Sequence, residues 1–215
     1  MVQLFISAFV TLFVVIDPPG CVPIFSSLTA GTSAGHRVTM AVRSSLIAGA
    51  VLIAFALGGE AFLSALGITL PAFKIAGGVM VFLIAIDMVF EKRTQRRENR
   101  AEEVKSAADA AGKPLEEEDI SVFPMAIPML AGPGSIASVM LLSARTGGDI
   151  ASEAVVLAAL LAVLVLTFLS LLAAGPLMRL MGAKFEGALT RLLGVVLAAL
   201  AAQFVVDGIR QSFNL

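Results

Sequence analysis

The sequence predicts an all-α, polytopic membrane protein of six transmembrane helices arranged as two inverted three-helix repeats, with spans 1 and 4 broken at Pro-Gly motifs. Three observations predict it. Hydrophobic residues make up 58% and charged residues 14% of the 215, and mean hydropathy is +0.96, which is too apolar for one soluble core of this size. Six apolar segments, near 3–30, 39–58, 71–90, 121–143, 153–175 and 191–209, approach the ~20 residues a bilayer crossing needs. The two halves also match: Pro19-Gly20 answers Pro133-Gly134 at an offset of 114, Leu66-Gly67 answers Met181-Gly182 at 115, and Gly78-Val79 answers Gly194-Val195 at 116. With three spans per half, the second half enters the membrane upside down relative to the first.

The first span carries the decisive irregularity. Residues 13–28 read F-V-V-I-D-P-P-G-C-V-P-I-F-S-S-L. Pro18 and Pro19 remove two backbone donors and push the preceding residues out of helical geometry, so carbonyls near Val14 and Val15 lose their intrahelical partners. In hydrocarbon such a break survives only where protein or a water-filled cavity satisfies the freed groups, which in transporters is where substrate sits. The N-terminus has no basic n-region and no A-x-A-like site before the break, so it reads as a retained first span rather than a signal peptide. Spans 2 and 3 are uninterrupted, with 63–70 and 177–185 as short interfacial pieces. Glu60, Lys74, Arg43 and Asp207 lie near predicted span ends, where long side chains reach the headgroups.

The chain therefore divides into a first three-span repeat (1–90), a charged linker (91–119) and a second, inverted repeat (120–215). The linker holds seven Lys/Arg and nine Asp/Glu and reads as a solvated segment, with helix over 101–111. It is followed by the second break, F-P-M-A-I-P-M-L-A-G-P-G-S-I-A-S-V-M at 123–140. Twelve of the fifteen Lys/Arg fall on the linker side of the predicted topology and three (Lys74, Arg145, Arg210) on the other. The positive-inside rule then places the linker in the cytoplasm and both termini outside.

After each Pro-Gly the chain restarts as a helix, so amides from Gly20 and Cys21 onward, and from Gly134 and Ser135 onward, open half-helices with unpaired N–H groups that attract anions. Gly20, Gly132 and Gly134 let a ligand approach the backbone closely. Asp17 has two readings: with the freed carbonyls it favours a cation, a substrate ammonium, a proton or Na⁺, or it caps the following half-helix. Ala131 replaces it in the second half. Ser135, and more weakly Ser138, either donate to a carboxylate or bond their own backbone. Gln203 and Asp87 occupy matching places in spans 6 and 3; Gln203 lies deeper and reads as facing the interior, whereas Asp87 reads as interfacial.

Other chemistries lack their residues. A net charge of −1 argues against a nucleic-acid partner. The single cysteine, Cys21, forms no intrachain disulfide and reads as a small packing residue. One histidine, His36, in a G-T-S-A-G-H-R loop reads as surface, and no metal cluster, nucleotide loop or nucleophile-base pair accompanies it. The expectation is a protein that is not an enzyme and holds no cofactor.

The stretches D-P-P-G-C-V-P-I-F, F-P-M-A-I-P-M-L-A-G-P-G-S-I and K-I-A-G-G-V-M-V-F-L-I-A resemble the MarC/SnatA family of bacterial inner-membrane proteins, over essentially the whole chain. The resemblance implies six spans in inverted repeats and transport of small neutral amino acids such as glycine, alanine and serine, outward across the inner membrane. It carries over Asp17, Pro19, Gly20, Gly132, Pro133, Gly134 and Ser135 as the substrate site, to which the reading of the residues adds Cys21 and Gln203. A zwitterion needs both an anion-binding helix start and a cation-binding helix end, as the two breaks supply. Coupling to H⁺ or Na⁺ and the oligomeric state stay open, and a channel without carrier-type exchange is the alternative.

Overall fold

The computed structural model describes residues 1–110 and 119–213 and, of these, all side chains but those of 109 and 179–186. The acidic end of the linker, 111–118, lies outside the described residues. Everything regular among the described residues is helix.

Helix α1 (Val2–Ile16) stops where the prolines forbid continuation, and Asp17 turns the chain at φ 59°, ψ 66° before α2 (Pro18–Leu28) begins with proline in its first turn. That turn needs no amide donor at its first position, which is why proline is accepted there. Helix α3 (Ala34–Ala65) is capped by Ser33, whose oxygen accepts from the His36 amide at 3.2 Å, so His36 sits in a first helical turn rather than a loop. Helix α4 (Leu70–Val89) starts behind Thr69 and Pro71, and α5 (Lys92–Ala110) follows after Glu91 at φ 59°.

Residues Ser121–Leu130 form a kinked segment in which Phe123 and Ile127 are extended (φ −125° at both), each preceding a cis-proline. The Ala131 amide closes the segment on the Ala126 carbonyl at 2.8 Å. Helix α6 (Pro133–Ala144) then departs at 53° to it. Helix α7 (Ile150–Leu172) is capped by Asp149, and α8 (Ala174–Phe213) completes the chain. Five stretches are long and apolar enough to cross a membrane, and the bent pair of Ser121–Leu130 with α6 makes a sixth.

Helices overrun several sequence-predicted bounds. The piece expected at 177–185 is a continuous part of α8, and α3 runs on to Ala65, because no proline interrupts either run. Helix α5 starts at Lys92, nine residues before the helix expected in the linker.

Span 1 is the most enclosed of the five unbent crossing stretches. Leu12, Ile16, Cys21, Ile24, Phe25 and Leu28 are buried against α7, the kinked segment and α5. The outer surface is apolar: Leu46, Leu57, Leu169, Leu192 and Val195 are all more than half exposed, as expected where the solvent is lipid.

The most extensive helix pair is α4 on α8. A Cβ at Gly78 would lie 3.0 Å from the Ala201 carbonyl oxygen and 2.8 Å from Val205; a Cβ at Gly194 would lie 3.0 Å from the Ala85 carbonyl oxygen and 3.0 Å from Val89. Positions 78, 85 and 89 and positions 194, 201 and 205 differ by the same 116, so this antiparallel contact maps onto itself when the helices are exchanged. Glycine at both places is what lets the backbones meet, as in other close membrane helix pairs.

Gly78→Val and Gly194→Val therefore each force the helices apart. Each is expected to lower stability by ~1–3 kcal/mol, the usual effect of overpacking, read as a drop in melting temperature in detergent. Two variants melting with the wild type would contradict the packing described.

Candidate functional site

At the first break, the Asp17 side chain does two things at once. Its Oδ1 accepts from the Gly20 amide at 3.2 Å, capping α2, and its Oδ2 accepts from Arg97 Nη1 at 2.8 Å. Both side chains are buried, at 2% and 8% exposure. A Cβ on Gly20 would collide with the Asp17 carboxylate and lie 2.8 Å from Arg97 Nη1, so glycine is required there for the pair to form.

The cation at the negative end of α1 thus comes from the protein. Arg97 Nη2 also donates to the Ile16 carbonyl at 3.4 Å, and Arg93 donates to the Val15 carbonyl. The Val15 carbonyl loses its helical donor to Pro19, and the Gly20 amide that would serve Ile16 is taken by Asp17. Burial first, and then the neighbouring Arg97 charge, lower Arg93 to about 10, against the opposing pull of Asp17. It still carries its proton at neutral pH.

Helix α5 reaches the break because one of its faces fits the bundle. Ala101 and Ala108 are buried, Val104 packs against the core, and Lys105 Nζ donates to Ser27 Oγ at 2.6 Å. Arg93 and Arg97 lie on the same face, four residues apart. The linker is therefore not the wholly solvated segment its charge suggested: Arg97 is 7% exposed. The signal was present as a 93, 97, 101, 104, 108 stripe, hidden by the charges on the other faces.

The second break opens a cavity of about 300 Å³. The start of α6 (Gly132, Pro133, Gly134, Ser135) forms one wall, Val15 and Ile84 a second, and Arg93, Arg96, Arg97 and Arg100 a third. Gly132 is the N-cap and supplies no side-chain acceptor, and Pro133 has no N–H, so the Gly134 and Ser135 amides open the helix without a cap. The Ser135 side chain is 2% exposed. A Cβ on Gly134 would strike Ile84 and lie 3.5 Å from Val15 Cγ1, which puts the start of α6 against the last turn of α1; Asp17 and Gly20 do not line the cavity.

The remaining predicted residues scatter. Pro19 is half-buried in the first turn of α2. Cys21 is fully buried, with Sγ 3.7 Å from the Ile16 carbonyl oxygen, and does not line the cavity. Gln203 is exposed and donates to Asp207 at 2.7 Å, and Asp207 in turn accepts from Arg145 at 2.7 Å; it stands outside the site because the α8 face that meets α4 is the one bearing Ala201 and Val205. Asp87, expected at the interface, lies in the last turn of α4, where it lines the cavity and pairs with Arg96. Lys74 is buried and bonds Gln211 at 2.8 Å rather than reaching outward. Ser138 is fully buried with its hydroxyl unpaired.

The comparisons with known proteins cover this whole arrangement. Residues 2–213 match the family described as MarC family integral membrane protein. A UPF0056 membrane protein of Methanocaldococcus jannaschii is 39% identical over 97% of this chain and 97% of its own. The UPF0056 inner membrane protein YhgN of Escherichia coli is 37% identical over 95% of each chain, and the UPF0056 membrane protein YvbG of Bacillus subtilis is 33% identical over 99% of this chain and 97% of its own. No solved structure matches. Both broken segments and α5 fall inside the matched residues, and the chain belongs to the MarC family of integral membrane proteins.

Proposed function

We propose that this protein is a secondary transporter that exports small neutral amino acids, such as glycine, alanine and serine, through the chamber between the two broken segments. It works as a carrier and not as an enzyme. The observation that carries the reading is the approach of the breaks: a capless helix start bearing Gly134 and Ser135 packs against Val15 in the last turn of α1, two residues before Asp17. The first pole suits a carboxylate and the second an ammonium. The chamber is of a size that favours small substrates.

The self-mapping α4–α8 contact supports an inverted repeat, since an antiparallel pair related by a two-fold axis is what an upside-down duplication produces. Twelve of fifteen Lys/Arg on the α5 side of the predicted topology support a cytoplasmic α5 and outward termini in the cell's inner membrane. In the conformation described here Arg97 holds the place of the substrate ammonium on Asp17. Transport then exchanges one cation for the other, with α5 withdrawing as substrate enters from the cytoplasm. The gradient of H⁺, of Na⁺ or of the substrate itself supplies the drive.

Purified protein in liposomes is expected to show saturable alanine uptake and accelerated counterflow; flux that neither saturates nor exchanges would favour a channel. Gly134→Leu fills the chamber against Ile84 and Val15 and is expected to abolish counterflow while the protein still folds. Wild-type rates in that variant would remove the site. Arg97→Ala leaves Asp17 buried and unpaired, a loss of ~3–5 kcal/mol. Alanine is expected to raise the melting temperature of Arg97→Ala more than that of the wild type, because its ammonium then meets a free carboxylate. An equal shift in both proteins would dissociate Asp17 from the substrate.

A further inference from the structure

Among the described residues, the charges around the chamber do not balance. Four arginines line it: Arg93, Arg96, Arg97 and Arg100. Two carboxylates answer them, Asp87 on Arg96 and Asp17 on Arg97. Arg93 bonds only neutral acceptors, the Val15 carbonyl and the Met88 sulfur, and Arg100 lies over the Phe123 ring at 5.9 Å from its centroid. Neither forms an ion pair with a described residue. Two positive charges at the wall of an apolar bundle are costly unless an anion joins them.

Donors for that anion line the same cavity. The Gly134 and Ser135 amides open α6 without a cap. Ser135, 2% exposed, also lines the chamber. Guanidinium forks across the cavity suit the paired oxygens of an oxyanion. Arg96, 69% exposed, marks an open mouth on the α5 side.

We propose that this chamber binds an oxyanion, a carboxylate or phosphate group, as a net-negative ligand, so that a short carboxylate without an amine binds at least as tightly as the matching amino acid. The inference rests on the reading of this cavity as the substrate chamber and adds a ranking to it. Alanine and propionate offer the same carboxylate to the α6 start. Alanine's ammonium, however, finds both nearby carboxylates already engaged, and must displace Arg97 or stand among uncompensated arginines. Propionate has no such conflict and neutralises one surplus charge.

The test uses the full chain in nanodiscs of zwitterionic lipid, with thermal shift and calorimetry against propionate, inorganic phosphate and alanine, and chloride at matched ionic strength as the screening control. Propionate is expected to raise the melting temperature saturably, with a dissociation constant no weaker than that of alanine. Arg100→Gln, which touches neither Asp17 nor a freed carbonyl, is expected to weaken propionate about tenfold. Nanodiscs of anionic lipid separate the sources: stabilisation that removes the propionate response in the wild type but not in Arg100→Gln identifies a lipid phosphate headgroup as an occupant of the same site. Alanine binding without propionate binding, chloride matching propionate, or unchanged affinity in Arg100→Gln would each overturn the proposal. Counterflow of alanine in liposomes is scored separately, so a carrier that ignores propionate sinks this inference alone, and a propionate binder that moves no alanine sinks the carrier reading alone.

Discussion

The structure is organised around a debt of hydrogen bonds. Pro18 and Pro19 leave the Val14 and Val15 carbonyls without helical donors, and Asp17 takes the Gly20 amide that would have served Ile16, all in a buried part of the bundle. Arginine is the side chain best suited to settle it, since one planar fork serves a carbonyl and a carboxylate together. Arg97 does this for Ile16 and Asp17, and Arg93 does it for Val15. Helix α5 is thus held to the bundle by the very break it repairs. A buried ion pair gains little over an apolar contact while intact, but loses ~3–5 kcal/mol when one partner is removed. The arrangement is therefore specific rather than merely sticky: α5 either seats both arginines or leaves a naked aspartate behind.

Much of this fold was legible in the sequence because lipid imposes strong rules. Apolar segments of crossing length, the prolines at 18, 19 and 133, and the matched glycines each map directly to a helix, a stop or a close contact. Gly78 and Gly194 are the clearest case, since a sequence offset of 116 reappears as reciprocal backbone approaches. What was not legible lay where a charge had two physical outlets. Asp87 is near enough to the linker to be solvated, yet turns inward because Arg96 meets it. Lys74 is near a helix end, yet is buried because Gln211 accepts its hydrogen bond. Gln203 is deep along α8 but on the wrong side of it. One-dimensional depth was readable; the angle around the helix axis was not, because the face α8 buries, with Gly194, Leu197, Ala201, Phe204 and Gly208, is no more apolar than the exposed one bearing Leu192, Val195 and Val196.

The linker shows the same limit in another form. A segment with seven Lys/Arg and nine Asp/Glu satisfies every compositional sign of solvation, and the face that docks uses alanines and a valine, too weak an apolar stripe to stand out. Arg93 and Arg97 become interior residues only because the broken span supplies them with acceptors. Neither half of that interaction is meaningful alone, and neither is visible until the two are brought together across about eighty residues of chain.

The two breaks also differ in a way that gives the chamber a polarity. The first is closed internally: Asp17 caps α2, and α5 satisfies the end of α1. At the second, the Ala131 amide closes the end of the kinked segment but no side chain caps the start of α6, because Ala131 stands where an aspartate would correspond, Gly132 has no side chain to cap with, and Pro133 has no amide to give. A duplicated fold with identical halves would offer a ligand two equivalent poles. Here one pole is occupied by Arg97 and the other presents open donors, so in the proposed carrier a ligand would engage the start of α6 first and compete for Asp17 second. That order rests on the residues at 17 and 131, and in the proposed cycle it ties entry of an acid group at one helix end to release of a guanidinium at the other.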